Sequence, residues 1–466
     1  MPQLTVSISK YPARVSLGLY ACLVAAGTAA LCSPLASASR ERPISVLDAA
    51  FTATSAACVT GLSVVSTEHD FSIFGQAVIL ALIQVGGVGI MTVTTFFMLR
   101  LGARVNLRAR AVISETLGAD EHSNLNWILG HVIRFTLLFE ACGFLLLWGR
   151  DLWGSDFEDP WRAIAGSAWR ALFHAVSAFN NAGFSILHEN LVAYRDDLAY
   201  NATIGALIVM GGIGYPVMID LRRHWRKEWP EFWVDLTLHT KLMLIGTAAL
   251  LTLGTVAFLL LEWNHTLAEV PLGKRCVVAL FHAISCRTAG FNTVDVNALT
   301  DATLFVSIML MAIGAGPCST AGGFKVSTVM VLLCDAWSTF RGQSHLNVFR
   351  RTVPHSAVER ATATAMLFMV LALAAVTLML VFQGNGSATR TGQSRIFLDT
   401  LFEVVSALGT VGLSTGITPG LPGLGKLILI LLMFLGRLGP ISVFVALSLS
   451  KRRDVIEFAN EEPIIG

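Results

Sequence analysis

Residues 283–294 read AISCRTAGFNTV, a short polar stretch centred on Ala289-Gly290-Phe291 in a chain otherwise dominated by apolar runs. Taken alone it suits neither a strand nor a helix interior. It has three counterparts: SAACVTGLSVV around Gly61, SAFNNAGFSIL around Gly183 and SALGTVGLSTG around Gly412. Each reads small or β-branched residue, Gly, Leu or Phe, then Ser or Asn, and each follows a short apolar helical run. Four such loops around one axis would line a pore.

Working outward, the spacing supports a repeat. Gly61 to Gly183 is 122 residues, Gly183 to Gly290 is 107 and Gly290 to Gly412 is 122. That period is too long for a solenoid and fits one membrane hairpin unit. Phe51, Phe173 and Phe402 each lie ten residues before their glycine, whereas Phe281 lies nine before, so the third loop is one residue shorter and should have a locally different backbone.

Composition sets the solvent. The chain has 466 residues, 54% hydrophobic and 14% charged, with a mean hydropathy of +0.66, which points to a polytopic membrane protein. The formal net charge of +2 carries no information about partners until it is divided by membrane side. Cysteines 22, 32, 58, 142, 276, 286, 318 and 334 show no CxxC pairing and no metal-ligand spacing, so they read as packing residues. The apolar run from Val15 to Leu31 follows Lys10 and Arg14 and precedes Ala36-Ser37-Ala38, as a cleaved signal would. The repeat needs it as an uncleaved first span.

Eight spans are expected: Val15 to Leu35, Ile73 to Leu99, Val132 to Trp148, Leu198 to Ile219, Leu242 to Leu261, Leu304 to Trp337, Ala361 to Phe382 and Leu427 to Leu449. One glycine loop lies between each odd and even member. The fold class is therefore an all-α polytopic membrane protein of four tandem membrane-pore-membrane units, with eight spans and four re-entrant pore helices in pseudo-fourfold array around one pore. The units divide at 1–112, 113–230, 231–345 and 346–466. The paired glycines Gly86-Gly87 and Gly211-Gly212 in the second spans read as close helix packing.

Lys and Arg set the orientation. Eighteen fall on the side of the termini and eleven on the other, which places both termini in the cytoplasm and the four loops outside. Seventeen acidic residues map near the outer mouth, where a net negative vestibule would concentrate cations; an ordinary solvated face accounts for many of them singly.

Non-helical backbone at membrane depth survives only in protein or beside water, because unpaired amides and carbonyls in lipid cost several kcal/mol each. Four glycine loops would aim carbonyl oxygens at an axis, where they can replace the hydration shell of a monovalent cation. Glycine suits this task because it adopts φ > 0 without strain. The candidate ligands are Val59, Thr60 and Gly61; Asn181, Ala182 and Gly183; Thr288, Ala289 and Gly290; and Thr410, Val411 and Gly412. Arg287 would then lie close to the ion path.

These motifs resemble the Trk/Ktr/HKT superfamily of potassium transporters over about the whole chain. FTATSAACVTGLSVV with the following LIQVGGVGIMT looks like the membrane (KtrB-like) subunit of bacterial Ktr systems, and RTAGFNT and GTVGLSTG are similar to the third and fourth family loops. The resemblance implies K+ as the transported ion, uptake across the bacterial inner membrane with possible sodium dependence, and a family glycine at Gly61, Gly183, Gly290 and Gly412. It also implies a homodimer and a cytosolic ring of regulatory nucleotide-binding (KtrA/TrkA-like) subunits carrying ATP/ADP or NAD(H). This chain itself shows no nucleotide site, no cofactor site and no transition-metal site. Lipids are its surroundings, and nothing points to nucleic acid. Its linkers Arg100 to Arg110 and Arg222 to Lys227 are candidate partner contacts, with ordinary positive-inside topology as the competing account. No loop carries TVGYG, so selectivity should be less strict than in potassium channels; a serine at the first glycine marks some sodium-conducting plant relatives, and Gly61 argues against that subtype.

GAGPCSTAGGFK, from Gly314 to Lys325, cannot continue as regular helix. It lacks Gly-Lys-Ser/Thr and follows no strand, against a phosphate loop. A plain kink and an intramembrane gate remain, and the resemblance favours the gate, with Gly314, Gly316, Thr320, Gly322, Gly323 and Lys325 as its residues. Arg437, in FLGRLGP in the middle of the last span, would either pair with Glu140 or face the path beside that gate. His174 and His282, equivalent in pore helices two and three, read as polar packing behind the filter.

Two other classes remain in view. A secondary transporter with re-entrant hairpins, moving another cation such as Na+, would show two inverted repeats rather than four parallel ones. An enzyme would need convergent nucleophiles or metal ligands at membrane depth, and the sequence offers none.

Overall fold

The computed structural model describes residues 12–39, 43–88, 125–153, 160–187, 189–343, 345–384 and 395–439. In chain order its helices are α1 (Pro12–Leu31), α2 (Val46–Ala57), α3 (Ile73–Val88), α4 (Leu125–Trp153), α5 (Pro160–Phe179), α6 (Leu198–Ile213), α7 (Tyr215–His224), α8 (Glu231–Asp235), α9 (Leu238–Glu262), α10 (Leu272–Ser285), α11 (Asp301–Ala312), α12 (Val326–Phe340), α13 (His355–Gly384), α14 (Ile396–Gly409) and α15 (Gly423–Leu438). The named strands among the described residues are the two-residue pair β1 (Asn347–Val348) and β2 (Arg351–Thr352), antiparallel. The chain is all-helical in class.

Local chemistry starts several of these helices. Ser45, Asp197, Thr237 and Thr300 sit at N-caps of α2, α6, α9 and α11, each accepting a first-turn backbone N–H on its side-chain oxygen. The four helices before the glycine loops, α2, α5, α10 and α14, are the buried centre. Phe51, Phe173, Phe281 and Phe402, one in each, are at most 2% exposed. The long helices behave oppositely: Leu137 and Leu145 on α4, Leu253 and Leu260 on α9, and Met366 and Leu373 on α13 are exposed apolar side chains, an arrangement suited to hydrocarbon rather than water.

Packing runs in a circuit. The helix preceding each central helix packs on it: α1 on α2, α4 on α5, α9 on α10 and α13 on α14. The helix following each one packs on the next: α3 on α5, α6 on α10, α11 on α14, and α15 back on α2. Glycines allow the approach. A Cβ at Gly86 would strike the Ala57 carbonyl at the end of α2, and one at Gly211 would strike the Phe179 carbonyl at the end of α5. The close-packing reading of both glycine pairs thus has a physical basis, since small residues let backbones meet where hydrophobic drive between helices is absent.

The eight expected spans are modified. Three described helices are long and apolar enough to cross a membrane unaided: Gly130–Trp153, Leu238–Glu262 and His355–Phe382. The span expected from Leu198 to Ile219 is broken instead, with α6 and α7 meeting at 95°. Gly214 at the joint has φ 98°, and Pro216 in the first turn of α7 has no N–H to continue the ladder. The span expected from Leu304 to Trp337 is two helices, α11 and α12, separated by the Gly314 to Lys325 segment. The ends of Ile73 to Leu99 and Leu427 to Leu449 lie outside the described residues, as do Lys10, Arg100 to Arg110 and Lys451 to Arg453.

Candidate functional site: four converging glycine loops

Each central helix ends in the same backbone device. Two residues before the glycine, Val59, Asn181, Thr288 and Thr410 have φ of 56°, 56°, 66° and 51°, and the glycines Gly61, Gly183, Gly290 and Gly412 have φ of 92°, 70°, 74° and 94°. Val59, Thr288 and Thr410 are β-branched, for which a left-handed backbone costs about 1–3 kcal/mol and persists only when its surroundings impose it.

The four loops converge. A Cβ on Gly61 would lie 2.5 Å from the Ala182 carbonyl oxygen, one on Gly183 2.7 Å from that of Ala289, and one on Gly290 2.6 Å from that of Val411; a Cβ on Gly412 would press on that of Thr60. The carbonyls of Thr60, Ala182, Ala289 and Val411 therefore form a closed ring, each against the neighbouring loop's glycine. The expected filter residues come together in space, and side chains are excluded from the ring by contact as well as by φ.

The shorter third loop keeps positive φ at Thr288 and Gly290, and the expected local difference in its backbone lies just before them. The missing residue is absorbed where the helix ends. Thr60, Ala182 and Val411 donate backbone N–H five residues back, to the carbonyls of Ser55, Ser177 and Ser406 at 2.8 Å; Ala289 donates four residues back, to Ser285, at 3.0 Å.

Those serines brace the loops. Ser55 Oγ accepts from Gly61 N (3.1 Å); Ser177 Oγ donates to the Phe184 carbonyl (2.7 Å), Ser285 Oγ to that of Phe291 and Ser406 Oγ to that of Leu413 (2.6 Å). The sequence reading passed over them, although a serine six residues before the glycine (five in the third loop) is visible in every quoted stretch. A second brace serves two loops: His174 Nε2 pairs with Ser185 Oγ at 2.9 Å, and at the corresponding place Glu403 accepts from Ser414 Oγ (2.5 Å), Thr415 N (3.1 Å) and Thr418 Oγ1 (2.7 Å). His282 turns instead to Ser307 Oγ on α11, 3.1 Å away. Both histidines are polar packing.

Beneath the ring, residues 314–325 form a non-helical tongue. Gly314 N donates to Phe324 O (2.7 Å), Gly316 N to Gly212 O (2.8 Å) and Thr320 N to Gly211 O (3.3 Å), while Thr320 Oγ1 donates to Phe179 O (3.1 Å) at the end of α5. A Cβ on Gly322 would strike the Thr410 side chain, and one on Gly323, whose φ is 68°, would lie 2.9 Å from Gly409 O. The Lys325 ammonium stays within the segment, on Ala321 O (2.8 Å) and Gly322 O (3.2 Å). Arg437 donates to the carbonyls of Thr320 and Gly86, to Gly87 O at 3.2 Å and to Tyr20 Oη at 3.3 Å. It does not pair with Glu140, which accepts from Gln84 Nε2 (3.2 Å) and Asn180 Nδ2 (2.9 Å) behind the second loop.

One further expectation is corrected. Arg287 does not face the ring: its guanidinium lies with Ile208, Gly212, Thr247 and Leu251, between α6, α9 and α10, donating to Thr247 Oγ1 at 3.4 Å. Of the seventeen acids counted toward one side, Glu41, Asp156, Glu158 and Asp159 lie outside the described residues. A cavity of about 370 Å³ opens above Gly61 and Gly183, and Asp70 is the carboxylate that lines it. Three of the other acids pair with basic neighbours, in Arg150–Asp197 (2.7 Å), Arg395–Asp301 (2.5 Å) and Lys426–Asp48 (2.7 Å).

The chain is 37% identical to Ktr system potassium uptake protein B of Vibrio alginolyticus, over 86% of this chain and 84% of the relative. It is 34% identical to the protein of the same name in Bacillus subtilis, over 95% and 94%, and 34% identical to Potassium/sodium uptake protein NtpJ of Enterococcus hirae, over 90% and 89%. The crystal structure of the potassium transporter TrkH from Vibrio parahaemolyticus superimposes with a TM-score of 0.71, covering 93% of this chain and 84% of that one at 17% identity, a likeness of fold. A family of transporters, not of enzymes, is thereby indicated: residues 22–456 match the cation transport protein family TrkH, and the chain belongs to it.

Proposed function

We propose that this chain carries K+ into the bacterial cell across the inner membrane, with the carbonyl ring of the four glycine loops as its selectivity filter. The observation that carries this reading is the ring itself, four carbonyls each lodged against the next loop's glycine. Preorganised oxygens can replace a cation's water without rearrangement. Relatives named as potassium uptake proteins support K+ as the ion, and the potassium/sodium relative makes Na+ the competitor to measure.

On this reading the chain is four tandem membrane-pore-membrane units with pseudo-fourfold symmetry, dividing near residues 112, 230 and 345. Residues 314–325 act as a gate below the filter, held shut by Arg437. Both termini face the cytoplasm, the protein works as a homodimer, and a cytosolic ring of nucleotide-binding subunits docks on its basic face. The Ktr relatives are named as parts of a system, which supports a partner subunit.

The test is K+-limited growth of an uptake-deficient bacterial strain, together with ion flux by the purified protein in liposomes. K+ flux exceeding Na+ flux is expected. Absence of rescue with the regulatory partner present, and equal flux of both ions, would overturn the proposal.

A further inference from the structure

Asn190 lies outside the four loops, yet its side chain reaches them. Its Nδ2 donates toward the carbonyl oxygens of Gly183 (3.5 Å) and Gly290 (3.4 Å), one residue outward from the Ala182 and Ala289 ring carbonyls. It lines the same outer cavity as Gly61, Gly183 and Asp70. Its Oδ1 is buried and has no hydrogen-bond partner among the described residues. The backbone holds it there: Asn190 has φ 59°, a conformation that asparagine tolerates better than most residues. Leu191 N donates to Asn292 O at 3.0 Å, tying the segment to the outer side of the third loop.

A carbonyl lone pair that accepts an amide N–H cannot at the same moment face a cation. The two oxygens bridged by Asn190 belong to different loops, so a cation seated between them must displace the amide. The other two loops have no such donor among the described residues.

We propose that Asn190 is a specificity-determining cap at the outer end of the ring, competing with dehydrated monovalent cations for the Gly183 and Gly290 carbonyls and so setting the external concentration at which the path fills. This rests on the filter reading above. The cap acts from the second and third loops only, so entry is asymmetric about the axis.

The test uses the full chain in proteoliposomes, with K+ flux measured against external K+. Asn190→Gly removes the amide while keeping φ > 0 accessible, and Asn190→Asp keeps the shape but cannot donate. With two weak hydrogen bonds lost from the competing state, half-saturating K+ is expected to fall about three- to tenfold in Asn190→Gly. Asn190→Asp should lower half-saturation too and add block by external Ba2+. Unchanged or raised half-saturation in both variants overturns the cap. Lack of saturable K+ flux in the unsubstituted protein would instead overturn the filter reading. K+-dependent thermal stabilisation in detergent then reads the cap separately: the variants should be stabilised at lower K+ than the parent, and an identical K+ dependence rejects it.

Discussion

The guanidinium of Arg437 donates to the backbone carbonyl of Thr320, and the same side chain holds the carbonyls of Gly86 and Gly87. One half-buried cation thereby joins α15, the end of α3 and the tongue below the glycine loops. Charge-assisted bonds of this kind contribute about 1.5–3 kcal/mol each. Replacing Arg437 with Met keeps much of the side-chain bulk and removes every donor. Basal K+ flux in liposomes without a partner should rise about tenfold or more, since 1.4 kcal/mol is a factor of ten in a population. Arg437→Lys should fall between the two. Basal flux equal to the parent's in both variants would remove Arg437 from gating.

Excising Gly314 to Thr320 tests the tongue itself. The deletion removes the bonds from Gly314 to Phe324, from Gly316 to Gly212 and from Thr320 to Gly211, along with the acceptor that Arg437 uses. K+ flux should become larger and insensitive to the Arg437 substitutions. A closed or unaltered pore would show that the segment is a structural kink.

Gly290→Ala should abolish most K+ flux. The added methyl would sit 2.6 Å from the Val411 carbonyl at a φ of 74°, so the ring must open or the loop must change its dihedrals, at a cost of about 1–3 kcal/mol. Gly420→Ala is the control, because nothing lies within 4 Å of the position a Cβ would take. Flux should fall at least tenfold in the first variant and stay within twofold in the second.

The glycine loops were legible because a polar motif must recur where backbone lines a path, and four aligned copies stand out from apolar surroundings. The Phe spacing was legible for the same reason: Phe51, Phe173, Phe281 and Phe402 fill one equivalent buried position. The break at Gly214 was not read, although Gly-Tyr-Pro is a helix-ending signal, because hydropathy is continuous through it. The bracing serines were also missed: a small polar residue in an apolar helix acquires meaning only when its acceptor is known. The acid count could not show pairing, which is set in three dimensions: Asp48, Asp197 and Asp301 each find a cation distant in sequence.

Asp48, in the first turn of α2, links the first central helix to the last helix through Lys426. Burial alone would raise its pKa, but the hydrogen bonds from Lys426 and Ser45 and the Lys426 charge outweigh it, and Asp48 lies below its ordinary value of 3.8. A carboxyl depressed in the folded state stabilises at pH above its unfolded pKa of about 3.9 and loses that contribution as pH falls through the lower folded value. Lys426→Met should therefore reduce stability by about 1 kcal/mol uniformly from pH 5 to 8. The gap to the parent should close below about pH 4. Equal unfolding temperatures at pH 7 would show that the pair contributes nothing.

The serine braces predict an order of effects. Ser177→Ala frees the Phe184 carbonyl, but His174 still holds Ser185 in that loop. Ser285→Ala frees the Phe291 carbonyl in a loop whose histidine, His282, is turned away to Ser307. No second side chain among the described residues takes over, and a buried carbonyl without its donor costs about 1–3 kcal/mol. Ser285→Ala should thus lower the unfolding temperature and the K+ over Na+ flux ratio more than Ser177→Ala does. Restoring the hydroxyl as Ser285→Thr should recover part of the ratio, whereas a purely volumetric role would make Thr worse than Ala. If both serine-to-alanine variants keep the parent's flux ratio, the braces stabilise the helix ends and leave the carbonyl ring unchanged.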